Sequence, residues 1–346
     1  MTNEISQEAT VLVTGVGGFL GGHVALQLLK QGYSVRGTIR QKTKASAVMS
    51  RFPTFGDKIV LVEADLDCDN GWDDAVAGCS YVIHTASPFP SGAVRDEAGL
   101  IRTARDGALR VLQASHQVGI KRVVFTSSIA ATNHGSGRAP YSEKDWTDVQ
   151  SKRATPYYKS KTLAEQAAWA FAEEYRLPLA VINPGLILGP LMGEDIGSSV
   201  GLIWTLMNGK FAKLPRYGCS IVDVRDVALA HVRAMIEPAA AGQRFIVGGR
   251  VFSMKDLSLA LAQAFPEHAS RLPTAELPDW LVRLLALVDP DARTIAYELG
   301  RDLSVNSSKA RAVLQWHPRP EQETIRDCAQ SLIERGLVAP PSASRY

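Results

Sequence analysis

The sequence predicts an α/β fold, a doubly wound parallel sheet with a smaller, mainly helical C-terminal lobe. Three observations predict it. Short β-branched apolar runs alternate with segments of helical period through the first half of the chain. The first of these runs enters a glycine-rich turn that opens a helix, and from about residue 186 the alternation gives way to helical segments. Alternating strands and helices imply a parallel sheet because right-handed crossovers lay helices on both of its faces. At 346 residues, 46% hydrophobic and 21% charged, the chain can bury a large core in one big or two intimately joined domains.

Ala9 to Thr14 is apolar and β-branched, which reads as a fully buried parallel strand. It runs into Gly15-Val16-Gly17-Gly18-Phe19-Leu20-Gly21, after which Phe19, Leu20, Val24, Leu28 and Leu29 recur at helical spacing. Strand, glycine turn and helix in that order form a Rossmann-type dinucleotide cradle. One glycine permits φ > 0, another lets backbone approach a pyrophosphate, and a third lets helix pack on strand. The phosphates sit at the helix N-terminus, where unpaired N–H groups and the helix dipole favour anions.

The second strand, Tyr33 to Ile39, ends where an NAD enzyme places an acid for the ribose hydroxyls. No acid stands there; Arg40 and Lys44 follow, with Arg36 and Lys42 nearby. A carboxylate would repel a 2′-phosphate, whereas a guanidinium holds it in charge-assisted bonds, so the pattern favours NADP(H). Lys58 to Glu63 reads as the third strand, leading into Ala64-Asp65-Leu66, with a short helix near Trp72 to Ala77. Tyr81 to His84 is the fourth, continuing as Thr85-Ala86-Ser87-Pro88-Phe89, small residues suited to backbone beside a flat cofactor. A long helix carries Leu100, Ala104, Ala108, Val111, Leu112 and Ser115 on one face. The fifth strand, Val123 to Thr126, ends in Ser127-Ser128, at the carboxyl edge where open α/β sheets bind ligands.

Next comes Thr155-Pro156-Tyr157-Tyr158-Lys159-Ser160-Lys161, in which Thr155 reads as an N-cap and Pro156 as the first helical residue. Tyr157 and Lys161 then stand one turn apart on the same face. A fixed ammonium close to a phenol lowers its pKa from about 10 and makes it a proton donor to an oxygen gaining charge. The sixth strand, Leu179 to Ile182, opens into Asn183-Pro184-Gly185-Leu186. Helices are expected near Ser198 to Met207, Lys255 to Phe265, Trp280 to Val288 and Ser308 to Leu314, the second opening with a capping-box pattern at Ser253 and Asp256. The expected division is residues 1–185 as the nucleotide-binding domain, rejoined by 218–235, with 186–217 and 236–346 forming the substrate lobe.

A net charge of +3, with acids and bases interspersed, gives no extended surface for nucleic acid or membrane. No apolar run reaches the ~18 residues that span a bilayer, and the N-terminus lacks a basic and then apolar leader pattern. A cytoplasmic protein is expected. Cys68, Cys79, Cys219 and Cys328 are widely spaced, without CxxC pairs or a histidine pattern for zinc, which reads as reduced, packed thiols and no metal site. The alanines of the Tyr157 helix suit either a monomer or a homodimer.

The segments TGVGGFLG, VRGTIR, VIHTASPF, VVFTSS, YYKSKTLAEQAAW, PGLILGP and SSKARAVLQWHPRP together resemble the extended short-chain dehydrogenase/reductases. Within them the likeness is to the branch of dihydroflavonol 4-reductases, cinnamoyl-CoA reductases and yeast-type methylglyoxal or aldehyde reductases. The resemblance implies Ser128, Tyr157 and Lys161 as the catalytic set. It implies a cofactor site of Gly15, Gly18, Phe19, Leu20, Gly21, Arg40, Lys44, Asp65, Leu66, Ala86, Ser87, Thr126, Tyr157, Lys161, Pro184, Gly185 and Leu186. The activity expected is reversible hydride transfer between NADP(H) and a small-molecule aldehyde or ketone. Phe89, Ile129, Trp204, Met207 and Tyr217 are candidates to line an apolar or aromatic pocket. A nucleotide-sugar epimerase or dehydratase, a hydroxysteroid-type dehydrogenase and a non-catalytic NADP(H) sensor are the alternatives, the last disfavoured by an intact tyrosine and lysine.

Overall fold

The computed structural model describes residues 9–88, 94, 96–194 and 196–340. Its centre is a seven-stranded parallel sheet made of β1 (Thr10–Thr14), β2 (Ser34–Ile39), β3 (Ile59–Glu63), β4 (Tyr81–His84), β5 (Arg122–Thr126), β6 (Leu179–Pro184) and, further along the chain, Gln243–Val247. The inner strands β1, β4, β5 and β6 are apolar runs buried on both faces, as a parallel sheet covered by helices requires, whereas β3 at the edge is partly exposed. Two short strands, β7 (Leu186–Leu188) and β8 (Gly218–Asp223), precede that seventh one, which is therefore β9, and β10 (Val251–Ser253) follows it. The order across the sheet is β3-β2-β1-β4-β5-β6-β9. The direction of winding reverses between β1 and β4, opening a crevice at their carboxyl ends, the place where doubly wound sheets take ligands.

The helices, in chain order, are α1 (Phe19–Lys30), α2 (Ala45–Met49), α3 (Trp72–Val76), α4 (Glu97–Gln117), α5 (Pro156–Glu174), α6 (Gly197–Met207), α7 (Val224–Ile236), α8 (Met254–Ala264), α9 (Asp279–Leu285), α10 (Pro290–Glu298), α11 (Ser308–Val313) and α12 (Glu321–Glu334). Val24 and Leu28 of α1 join Val227 and Met235 of α7 in the core on one face of the sheet. Ala108 and Leu112 of α4 and Ala164 and Ala168 of α5 fill the other face with Leu12, Val82 and Val123. A third core, built from Ile203, Leu206, Leu257, Leu261, Ile325 and Leu332, lies in the lobe among α6, α8 and α12.

The strands and main helices fall where the apolar periodicity places them. The Ser253 and Asp256 capping box forms in both directions at the start of α8. Three expectations are corrected. The segment expected to rejoin the first domain divides: α7 packs on α1 beside the main sheet, whereas β8 lies in a separate three-stranded sheet of order β10-β8-β7. Residues 243–247, expected in the lobe, are β9 and pair in parallel with β6 from Ala180↔Gln243 to Pro184↔Val247. The thiols are free, but Cys68 is exposed rather than packed; Cys219 and Cys328 are buried. α10 and α12 are helices that the sequence reading did not include.

Candidate active site

Four strand ends and the N-terminus of α5 converge on the crevice. After β1, Gly15 takes φ +67 and its carbonyl accepts from the Gly18 N–H at 2.9 Å, closing the turn. A Cβ at Gly21 would stand 2.3 Å from the Gly15 carbonyl oxygen, so only glycine lets α1 start this close to the strand. Phe19 and Leu20 form the first turn of α1, whose uncapped N–H groups face the turn. The Arg51 guanidinium donates to the Gly17 carbonyl at 2.8 Å, adding a charge beside the cradle that sequence spacing did not reveal. Beside Gly15 runs the strand extension after β4, where the Ala86 N–H donates to Thr14 Oγ1 at 3.0 Å and the Thr85 hydroxyl to the Thr14 carbonyl at 2.6 Å. Ser87 follows, partly exposed.

At the end of β2, Arg40 and Lys44 are exposed and line, with Gln41 and Asp65, a cavity of about 230 Å³. Leu66 lies next to it in sequence and is partly buried. The neighbouring Arg36 is absorbed structurally, donating to the carbonyls of Asp74, Ala75 and Ala77 around the end of α3.

Tyr157 and Ser128 are brought together, with Lys161 one turn further along the same helix. Thr155 caps α5, its hydroxyl accepting from the Tyr158 N–H, with Pro156 in the first turn. Tyr157 and Ser128 are hydrogen-bonded to each other. The choice between the two serines follows from their partners. The Ser127 hydroxyl donates inward to Glu165 at 2.6 Å, whereas Ser128 caps the short turn of residues 129–131 and meets Tyr157. Burial pushes the Tyr157 phenol up to about 12, against a lowering by its hydrogen bond with Ser128. Lys161 is buried, which brings it down to about 8 against the opposing charge of Glu165, and its own charge reaches His84. His84, at the end of β4, is held by Thr14 Oγ1 at 2.8 Å and is pushed down to about 3, first by burial and then by Lys161.

Pro184 ends β6, and the Gly185 N–H donates to the Val247 carbonyl at 3.0 Å, leading into Leu186 at the start of β7. Thr126 does not offer its hydroxyl to the crevice: Oγ1 lies 2.7 Å from His231 Nε2, tying β5 to α7.

Of the pocket candidates, Ile129 directly follows Ser128, and Tyr217 lies close enough to Tyr158 for their charges to interact. Met207 is corrected to a core residue with no exposed surface, because it lies on the face of α6 that packs in the lobe core. Trp204 is likewise spent on packing, its indole donating to the Leu337 carbonyl at 2.8 Å with Lys210 over the ring. Phe89 lies outside the described residues. Two groups went unread in the sequence. Tyr158 stacks on His134 with ring centroids 4.1 Å apart, and Glu298 of α10 accepts from Tyr158 while meeting His134 Nε2 at 2.6 Å. Their one legible signal was an aromatic beside Tyr157; α10 itself carries no motif.

The glycine turn, its adjoining helix N-terminus and the basic cavity fit a dinucleotide by shape and charge. Among the described residues no group of three His, Cys, Asp or Glu side chains could hold a metal ion, and no helix is long and apolar enough to cross a membrane.

Known proteins resemble this chain in sequence and fold. The NAD dependent epimerase/dehydratase family matches residues 11–248. Cinnamoyl-CoA reductase 1 of Arabidopsis thaliana is 35% identical over 77% of this chain and 77% of its own. The bifunctional dihydroflavonol 4-reductase/flavanone 4-reductase of Malus domestica is 32% identical over 78% and 79%. The yeast methylglyoxal/isovaleraldehyde reductase Gre2, solved with NADPH, superposes with a TM-score of 0.79 at 28% identity, covering 95% of this chain and 100% of its own. With more than half its length matched, and with reductases among its relatives, the chain belongs to the NAD dependent epimerase/dehydratase family, the extended short-chain dehydrogenase/reductases, and is an NAD(P)-dependent oxidoreductase.

Proposed function

We propose that the protein is an NADPH-dependent carbonyl reductase, reversible as an alcohol dehydrogenase, acting on aldehydes or ketones with apolar or aromatic substituents. The observation that carries the reading is the hydrogen-bonded pair of Tyr157 and Ser128 at the carboxyl edge of the sheet, with Lys161 one turn along the same helix. Bound NADPH supplies the hydride. Gly15, Gly18 and Gly21 admit its pyrophosphate to the N-terminus of α1, with Phe19 and Leu20 giving N–H groups. Arg40 and Lys44 take the 2′-phosphate, with Asp65 and Leu66 at the adenine. Ala86, Ser87 and the Pro184 to Leu186 turn border the nicotinamide side.

Ser128 and Tyr157 donate to the carbonyl oxygen and stabilise the charge it gains. A phenol whose pKa burial lifts to about 12 keeps its proton through neutral pH and releases it to an oxygen becoming alkoxide. Lys161 orients the ribose by its ammonium and, once charge builds on the tyrosine, favours the phenolate. Ile129 and Tyr217 supply the apolar and aromatic wall. The cinnamoyl-CoA, dihydroflavonol and methylglyoxal reductase names of the relatives support a carbonyl substrate.

The test follows the reduced-nicotinamide absorbance with NADPH or NADH against a panel of aldehydes, ketones, diketones and dihydroflavonols. Carbonyl-dependent consumption preferring NADPH is expected, falling at least a thousandfold in Tyr157→Phe with NADPH binding retained. Equal turnover in Tyr157→Phe rejects the tyrosine as proton donor. Absence of turnover with every carbonyl rejects the reductase.

A further inference from the structure

A carboxylate with no exposed surface sits in the middle of α5, one turn beyond Lys161. Glu165 is 0% exposed, and burying an anion this completely is costly unless every lone pair is engaged. Oε1 accepts from Arg244 Nε at 2.6 Å and from the Trp169 indole at 3.2 Å. Oε2 accepts from the Ser127 hydroxyl at 2.6 Å, Asn183 Nδ2 at 2.8 Å and Arg244 Nη2 at 3.3 Å. Arg244 alone would neutralise the charge; the remaining partners show where the carboxylate is aimed. Ser127 directly follows β5 and precedes Ser128, and the same Asn183 amide also donates to the Ser128 carbonyl at 3.1 Å. One carboxylate therefore grips the backbone around Ser128 from both β5 and β6, and does so from the helix that bears Tyr157 and Lys161.

We propose that Glu165 is a positioning residue of the active site, locking the Ser128 strand end to the helix that bears Tyr157 and Lys161; the inference rests on the reductase reading above. Helical spacing sets Glu165 on the Lys161 face, and Glu165 is the group that raises the lysine against its burial. The other charged or titratable groups packed around the pair are accounted for. His84 on β4 and Tyr157 on α5 lie towards Lys161 and the site, and Arg244 on β9 engages Glu165 itself. Glu97 of α4 pairs instead with Lys159 on the outer side of the helix, and His231 of α7 is bound to Thr126. Arg244 is further fixed by the carbonyls of Glu143 and Asp145 and by the Trp146 ring, 3.7 Å from its guanidinium carbon, so it cannot swing away to solvent.

The experiment uses Glu165→Gln, which keeps the length and one acceptor, and the charge-balanced double variant Glu165→Gln with Arg244→Gln. NADPH fluorescence titrations from about pH 6 to about pH 10 read the lysine without needing turnover. In the unaltered protein the expected result is that NADPH binding weakens as pH rises past about 8, where burial brings the Lys161 ammonium to discharge. Without Glu165 that fall moves to lower pH, and kcat at neutral pH drops about tenfold or more while KM for the carbonyl changes far less. A glutamate serving stability alone lowers the melting temperature and leaves the position of the pH limb and kcat unmoved; that result in either folded variant overturns the proposal. If Glu165→Gln does not fold, the double variant decides. Missing carbonyl turnover in the unaltered protein would reject the reductase reading, while the binding titration still judges Glu165.

Discussion

In the proposed reading, Arg40 and Lys44 are the single residues that choose the cofactor. Both project from the end of β2 into a solvent-accessible cavity shared with Asp65, and Arg40 occupies the place where a ribose-binding acid would stand. A charge-assisted bond to a 2′-phosphate is worth ~1.5–3 kcal/mol, or roughly a tenfold to a hundredfold preference. Arg40→Ala should therefore raise the KM for NADPH about tenfold and leave the KM for NADH within about twofold, checked by initial rates with each cofactor. An equal loss with both cofactors would show that Arg40 supports the loop rather than the phosphate. Single positions also mark the reach of sequence reasoning. Ser128 was singled out by the family resemblance, whereas the packing of Tyr158 against His134 depends on a contact that only the fold brings about.

Elements explain why neighbouring glycines in α1 are not equivalent. Gly21 faces the Gly15 carbonyl at a distance no Cβ can occupy, whereas a Cβ on Gly22 would make ordinary contacts of 3.5 Å and beyond. Gly21→Ala must push the turn away from the helix, and we expect NADPH affinity to fall more than about tenfold. Gly22→Ala instead removes freedom from the unfolded chain at a position already helical and should stabilise the fold by ~0.4–1 kcal/mol. Paired thermal melts and NADPH titrations of the two variants check both statements. The glycine pattern was plain in the sequence; which glycine is crowded followed only from the packing of α1 on β1. The same limit applied to β7, β8 and β10, whose short runs carry too little periodicity to announce a second sheet.

At the scale of the whole molecule, three of the buried imidazoles among the described residues, His23, His84 and His231, respond to pH together. Burial pushes His23 and His231 down to about 4 and His84 down to about 3, so all three are neutral in the fold at pH 6, while in the unfolded chain they titrate near 6.5. Between those limits the unfolded state binds more protons, and stability falls as pH is lowered through that window, by up to ~1.4 kcal/mol per pH unit for each histidine. Urea midpoints should decline steadily from pH 7 to about pH 4.5, and His231→Gln should flatten the slope by about a third. A midpoint constant over that range would show the imidazoles to be accessible. Above neutrality these histidines add no pH dependence to stability, which separates this effect from any limb due to Lys161.

By itself the sequence determined the nucleotide half of the protein: the order of strands and helices, the glycine cradle, the basic residues after β2, the N-cap and proline that start α5, and the facing of Tyr157 and Lys161. These are local properties, fixed by side-chain period and by backbone freedom at a few positions. Tertiary structure decided what depends on pairing between distant segments. It sent Gln243–Val247 to the edge of the main sheet, turned Met207 and Trp204 into the lobe core, and spent Thr126 on His231. It also brought Glu165, Arg244, Asn183 and Ser127 together by bonds that span 38, 18 and 79 residues of the chain. A buried charge can be placed only when the partners that satisfy it are known, and those partners come from the fold rather than from neighbours in sequence.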